Sequence, residues 1–226
     1  EDASWEEAVA LVANRFTQII EERGGRAILP YSYLAHMGVL ATRYADRLWN
    51  RMGTARVGME ICAMAGAEAV IRTFGQIRGT EPEHLDKTRL YIAWGKNPMA
   101  TNVHGHVLVK DVPTVVIDPR RSETAAAADL HIAPRPGTDS ALAMGVMRIM
   151  VENDWVDRAF LDERTLGYEA LRDAVWALPL EEVATITDVP LEQIHELATL
   201  YHSHRPGLIN LGVGLQRNTN GGEMIA

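Results

Sequence analysis

"TVVIDPRRSETAAAADLHIAPRPGTDSALAMGV", Thr114–Val146, decides how this chain is read. Its first apolar run, Thr114–Ile117, reads as a strand and ends in Asp118-Pro119-Arg120-Arg121. A second short strand, Leu130–Ala133, gives way to Pro134-Arg135-Pro136-Gly137-Thr138-Asp139. From about Asp139 to Asn153 the pattern turns helical, with Ala141, Leu142, Val146, Ile149 and Met150 on one face.

The alternation continues outward. Upstream, Thr88–Ala93 is a predicted strand that exits through Trp94-Gly95-Lys96-Asn97-Pro98, and Val103–Lys110 is predicted roughly helical. Downstream, two or three helices fill Trp155–Ser203, the last starting near Pro190 and carrying Ile194, Leu197, Ala198 and Tyr201. Leu208–Leu211 is a final strand that leads into Gly212-Val213-Gly214. Strands alternating with helices imply an α/β fold with a mainly parallel sheet covered on both faces. Nearer the start, Ser4-Trp5-Glu6-Glu7 has the capping-box form and opens a helix to about Glu22, stopped by Gly24-Gly25. Arg26–Tyr33 is expected as a buried strand centred on Ala27, Ile28 and Leu29, Thr42–Arg51 as a helix ending near Gly53, and Cys62–Thr73 as a second helical stretch.

The 226 residues and 47% hydrophobic content suit one large or two small domains. A formal net charge of −8 without a basic stripe disfavours general nucleic-acid binding. A single cysteine excludes an internal disulfide and any multi-cysteine metal site within the chain. No stretch is long and apolar enough to span a membrane, and the acidic start is not a signal peptide. No nucleophile elbow or phosphate-binding Walker loop occurs. His104 and His106 fall in a predicted helical segment, where side chains two apart diverge, so a metal pair is disfavoured there. His202 and His204 sit at a helix end and read as partners of its dipole.

The exits after the strands share a character. Ligands of parallel sheets bind outside the carboxyl ends of the strands. Gly95, Gly212 and Gly214 let backbone N–H groups approach a phosphate or a flat ring. Asp118 can accept from ribose hydroxyls, and Arg120 or Arg121 can pair with phosphate. Asp139 can accept two hydrogen bonds from the N1–H and amine edge of guanine. Each motif alone also reads as ordinary loop structure, and Asp139 as a first-turn carboxylate favoured by a helix dipole. The set suits an extended ligand with phosphates and a base.

As a set, the motifs resemble the molybdopterin oxidoreductase family, the superfamily of dimethyl sulfoxide reductase, periplasmic nitrate reductase and formate dehydrogenase. The matching segments are "SWEEAVALVANRF", "ICAMAGAEAVIRTFG", "YIAWGKNP", "VVIDPRRSETAAAADLHIAPRPGTDSALAMGVM" and "LGVGLQRNTNGGE", in the family's order and across essentially the whole chain. The resemblance implies a Rossmann-like three-layer αβα domain at 61–226, preceded by part of a second α/β domain at 1–60. It implies molybdenum or tungsten held by two pyranopterin guanine dinucleotides, and two-electron redox or oxygen-atom transfer chemistry. Trp94, Gly95, Asn97 and Pro98 then match a cofactor-contacting loop, and Asp118, Pro119 and Arg120 a segment near the nucleotide. Gly137, Thr138 and Asp139 match a guanine-recognising Gly-Thr-Asp, and Gly212, Gly214 and Gln216 a loop close to a pterin.

Cys62 precedes Thr73-Phe74-Gly75 at the spacing seen in members that resemble periplasmic nitrate reductase, which implies a catalytic metal ligand. A thiolate suits a soft metal already bound by sulfur. A small buried hydrophobe is the competing reading of a lone cysteine. Formate dehydrogenases place a histidine after the ligand, whereas Ala63 stands here, so formate oxidation is disfavoured. The family's N-terminal 4Fe-4S cluster cysteines and its C-terminal cofactor domain are absent from the sequence, so a central fragment of a longer enzyme is expected. The resemblance further implies a small-molecule substrate and an electron-transfer subunit or redox carrier as partners. A cytoplasmic location is expected, or a periplasmic one if a twin-arginine signal lies upstream. The competing class is a metal-free relative such as the large subunit of respiratory NADH dehydrogenase.

Overall fold

Ser4 caps the first helix, α1 (Trp5–Arg23): its hydroxyl accepts from the Glu7 N–H at 3.2 Å, and Glu7 Oε2 accepts from the Ser4 N–H at 2.9 Å. The computed structural model describes residues 2–31, 38, 41, 44–57 and 63–226. The chain divides into two units, Glu1–Glu60 and Ile61–Ala226. In the first, α1 ends at Gly24, and α2 (Asp46–Met52) ends at Gly53 in the left-handed conformation. Phe16 of α1 meets Trp49 of α2 edge to face, with ring centroids 6.2 Å apart.

The strand expected at Arg26–Tyr33 is not formed over its described residues. Gly25–Ala27 is a 3-10 turn, Ile28 is buried, and Leu29 is 57% exposed. A strand needs a continuous ladder, yet no residue of Arg26–Tyr31 pairs as a strand, and Ile28 O accepts from the Ala55 N–H at 3.0 Å in an isolated link. Gly25, just before it, lies so close to the Met52 carbonyl that a Cβ would overlap it.

The second unit opens with α3 (Ala65–Phe74). Four strands follow in the chain: β1 (Leu90–Trp94), β2 (Thr114–Ile117), β3 (Leu130–Ile132) and β4 (Gly207–Leu211). All neighbours pair in parallel, in the order β3-β2-β1-β4. Register sets Trp94 beside Ile117 on one side and Leu211 on the other. The short helices α4 (Pro98–Thr101) and α5 (Val103–Val107) link β1 to β2, and α6 (Glu123–Ala127) links β2 to β3. Between β3 and β4 run α7 (Asp139–Glu152), α8 (Arg158–Arg164), α9 (Tyr168–Ala177), α10 (Leu180–Thr187) and α11 (Leu191–Ser203). The segment expected as two or three helices thus holds four, α8 to α11. Gly167, at φ +83°, Pro179, and Asp188, at φ +60° before Pro190, mark the breaks. A final helix, α12 (Gly221–Ile225), lies beyond β4 and packs on α3.

β1 is buried at all five positions, which explains why it reads as an unbroken apolar run rather than an alternation. Leu90, Ile92 and Trp94 face α7, α10 and α11, in a core with Leu142, Ile149, Val183, Ile194 and Leu197. Tyr91 and Ala93 face the other way, toward Val109 and Ala125. The result is the three-layer αβα arrangement. Arg148 ties α9 to α7, donating to the Trp176 and Leu178 carbonyls and lying 5.1 Å over the Trp176 ring. His202, at the end of α11, stacks on Trp155 with centroids 4.3 Å apart.

Candidate functional site

The strand order reverses at β1. From β1 the chain steps to β2 and β3 on one side, and it returns to place β4 on the other. Connections therefore diverge at the carboxyl ends of β1 and β4, the place where open parallel sheets bind ligands. There run Gly95–Asn97 from β1 and Gly212–Gln216 from β4. The two exits touch: the Gly212 N–H donates to the Trp94 carbonyl at 2.7 Å. A Cβ on Gly212 would overlap the Gly95 carbonyl oxygen. Gly95 itself has φ +62°, and a Cβ there would run into the Leu215 side chain. Both glycines are required by backbone geometry. Gly214 differs, since its φ is −59° and a Cβ would sit 3.7 Å from the Gly95 oxygen, an ordinary contact.

The other exits join the same edge. The Gly95 N–H donates to Ile117 O at 2.7 Å, and the Asp118 N–H to Ile132 O at 3.0 Å. Asp118 Oδ1 accepts from the Arg120 N–H at 2.8 Å, so this carboxylate shapes its own turn. Its backbone carbonyl lies 2.8 Å from His131 Nε2. Pro119 and the side chains of Arg120 and Arg121 are exposed, and neither arginine has an ion-pair partner within 4.0 Å among the described residues. Both cations are thus open to an anionic ligand.

Asn97 is anchored sideways. Its Oδ1 accepts from the Thr124 hydroxyl at 2.6 Å and from the Thr124 N–H at 3.3 Å, and its Nδ2 donates to Glu123 Oε2 at 2.7 Å. The Glu123 backbone N–H, then the Asn97 amide, hold the Glu123 carboxyl below its ordinary value. Pro98 is buried at the first position of α4. Lys96 reaches across the sheet end, with Nζ 2.9 Å from Asn210 Oδ1, and Asn210 Nδ2 donates to the Tyr91 hydroxyl at 2.7 Å. Burial pushes the Tyr91 phenol up, against the opposing effect of that hydrogen bond.

At the exit of β3, Gly137 has φ +85° and Thr138 is the N-cap of α7, its hydroxyl donating to Arg135 O at 2.6 Å. Asp139 is half-buried, and its Oδ1 accepts from the Trp94 indole N–H at 2.7 Å. Trp94 itself is 8% exposed, so its ring belongs to the core while its N–H reaches the exit. Gln216 Oε1 accepts from the Gly66 N–H at 2.8 Å, which fastens the β4 exit to the first turn of α3.

All the site residues expected within 94–216 therefore lie along one edge of the sheet. Cys62 falls outside the described residues. Sequence reading did not single out Asn218, whose side chain lies beside Gly137, nor the bonding roles of Glu123, Thr124 and Asn210. No spacing rule reaches them, because their partners are 26 or more residues away. Among the described residues, no three histidine, cysteine or acidic side chains are grouped to hold a metal ion, and no helix is long and apolar enough to cross a membrane. His104 is exposed on α5, and His106 keeps a buried Nδ1 without a hydrogen-bond partner.

Comparison with known proteins gives a consistent result. The family model described as Molybdopterin oxidoreductase matches residues 1–226. The chain is 40% identical to the probable oxidoreductase YoaE of Bacillus subtilis, covering 100% of this chain and 34% of that protein. It is 30% identical to the assimilatory nitrate reductase catalytic subunit of the same organism, covering 96% of this chain and 32% of that one. Among solved structures, acetylene hydratase from Pelobacter acetylenicus shares the fold with a TM-score of 0.79 at 24% identity, over 100% of this chain and 32% of its own. The chain spans about a third of the length of the relatives it matches.

Proposed function

The chain belongs to the molybdopterin oxidoreductase family, and we propose that its second unit cradles the guanine dinucleotide arm of a pyranopterin cofactor in a longer molybdenum or tungsten oxidoreductase. The observation that carries this reading is the junction of the β1 and β4 exits. There two glycines bring backbone against backbone at the point where the strand order reverses. The residues present fit the group. The backbone junction at Gly95 and Gly212 fixes the β1 and β4 exits side by side, the open Arg120 and Arg121 suit pyrophosphate, and the half-buried Asp139 suits the donor edge of guanine.

When bound, the cofactor supplies a redox metal that exchanges two electrons with substrate, often together with an oxygen atom. The chain's own residues bind and orient. Asn97, locked to α6, holds the β1 exit at a fixed distance from the β2 exit. Gln216 holds the β4 exit against α3, the helix that follows the Cys62 segment. Cys62 is proposed to hold the metal through its sulfur. The relatives are about three times as long, so turnover belongs to the full-length protein, with an electron-transfer subunit or redox carrier as partner. The 226-residue chain alone is expected to be inactive.

The test is the metal and pterin content of the full-length native protein, purified beside a control molybdoenzyme from the same host. Molybdenum or tungsten together with an oxidised pterin carrying guanine nucleotide is the expected result. If neither is present while the control is loaded, the reading fails in favour of a metal-free relative.

A further inference from the structure

We propose that Trp94 is a positioning residue for nucleobase selection: its indole N–H fixes the plane of the Asp139 carboxylate so that both oxygens meet the two-donor edge of guanine. This rests on the proposed nucleotide cradle and extends it to a residue that need not touch the ligand. An indole N–H can only donate, and a buried one needs an acceptor. Trp94 is the last residue of β1 and its ring is packed in the core with Leu142 and Leu215. Its orientation is therefore set by the strand it ends and by the core it packs in. The acceptor it finds is Asp139 Oδ1, at 2.7 Å and 45 residues away. That distance is at the short end for a charge-assisted bond.

The consequence lies in what remains open. Among the described residues, Asp139 Oδ2 accepts no hydrogen bond and Asp139 makes no ion pair. Oδ1 keeps a second lone pair after accepting from the indole. The carboxylate is thus held by one oxygen, half-buried, and free to accept at both. A carboxylate rotating freely about its Cβ–Cγ bond would meet a single donor nearly as well as a pair. One pinned in plane rewards a base that presents two parallel donors. Guanine offers N1–H and the 2-amine, hypoxanthine only N1–H, and adenine an acceptor at N1. A site built to accept a hydrogen bond rejects the analogue that lacks the donor.

Cofactor-free full-length protein is titrated calorimetrically with GDP, IDP and ADP, in the parent and in Trp94→Phe, Asp139→Asn and the double variant. The parent is expected to prefer GDP over IDP by about tenfold, as suits one hydrogen bond to a charged group. Trp94→Phe keeps a packed ring without the N–H. It should cut that preference to roughly two- or threefold, chiefly through weaker GDP binding. In the Asp139→Asn background, Trp94→Phe should not change the ratio further. If Asp139→Asn collapses the preference but Trp94→Phe leaves it intact or weakens GDP and IDP equally, Trp94 only packs and the proposal is overturned while the cradle stands. If the parent binds no nucleotide, or Asp139→Asn leaves the preference intact, the cradle reading itself fails. A measurement on the unmutated side chain covers a Trp94→Phe that does not fold. In protein labelled with 15N-tryptophan, one indole N–H signal should shift with GDP and not with ADP, and lose that response in Asp139→Asn. No responding signal overturns the proposal.

Discussion

Gly212→Ala should destabilise the protein by about 2–4 kcal/mol, whereas Gly214→Ala should leave stability within about 0.5 kcal/mol of the parent. The two glycines are equivalent in a Gly-Val-Gly pattern, and the difference comes from where their neighbours lie. A Cβ on Gly212 overlaps the Gly95 carbonyl oxygen, and the nearby atoms are backbone, with no flexible side chain to swing aside. Relief requires the β1 and β4 exits to separate. Overpacking of this kind costs about 1–3 kcal/mol. Separation also stretches the 2.7 Å bond from the Gly212 N–H to Trp94 O, worth about 1 kcal/mol more. On Gly214, with φ −59° and a Cβ 3.7 Å from the same oxygen, nothing has to move. Urea denaturation followed by circular dichroism measures both. A shift in melting temperature of roughly 4–16 °C accompanies the loss expected for Gly212→Ala. A Gly212→Ala protein that unfolds at the parent's urea midpoint would refute the claim that the two exits are locked backbone to backbone.

Asn97→Ala strips the buried Thr124 of its acceptor and frees a backbone N–H of α6, and should cost about 1–3 kcal/mol in the same urea assay. Glu123 has a folded carboxyl held below its ordinary value of 4.5, so its stabilising effect is present above that pH and fades as pH falls through the lowered value. Unfolding free energy of Glu123→Gln, measured from neutral pH downward, should therefore fall less steeply below about pH 4.5 than that of the parent. Cys62→Ala in the metal-loaded full-length protein should remove one sulfur neighbour from the metal's X-ray absorption spectrum, and identical sulfur coordination would show that Cys62 is not a ligand.

Local pattern carried much of the architecture. The apolar runs expected at Thr88–Ala93, formed as Leu90–Trp94, and at Thr114–Ile117 are legible because a strand buried on both faces has no alternation to hide, and Ser4 with Glu7 marks a helix start by side-chain chemistry alone. The exits were legible for the same reason, since glycine, proline and short polar residues announce turns wherever they stand. Arg26–Tyr33 shows the limit: an apolar run predicts a strand only if a partner strand exists, and over the described residues none pairs with it.

By itself the sequence determined that strand exits rich in glycine and hydrogen-bonding side chains follow strands of one parallel sheet, and that they resemble one family. Tertiary structure alone decided which residue does which job. The order β3-β2-β1-β4 makes the β1 and β4 exits the point where connections diverge, and no local window contains that order. It makes Gly212 a steric requirement and Gly214 a free position. It assigns Asn97 to holding α6, Gln216 to holding α3, and Trp94 to a carboxylate 45 residues away. Spacing rules read neighbours along one helix or strand. These bonds join separate elements, and their partners are set by how parallel strands stack in register.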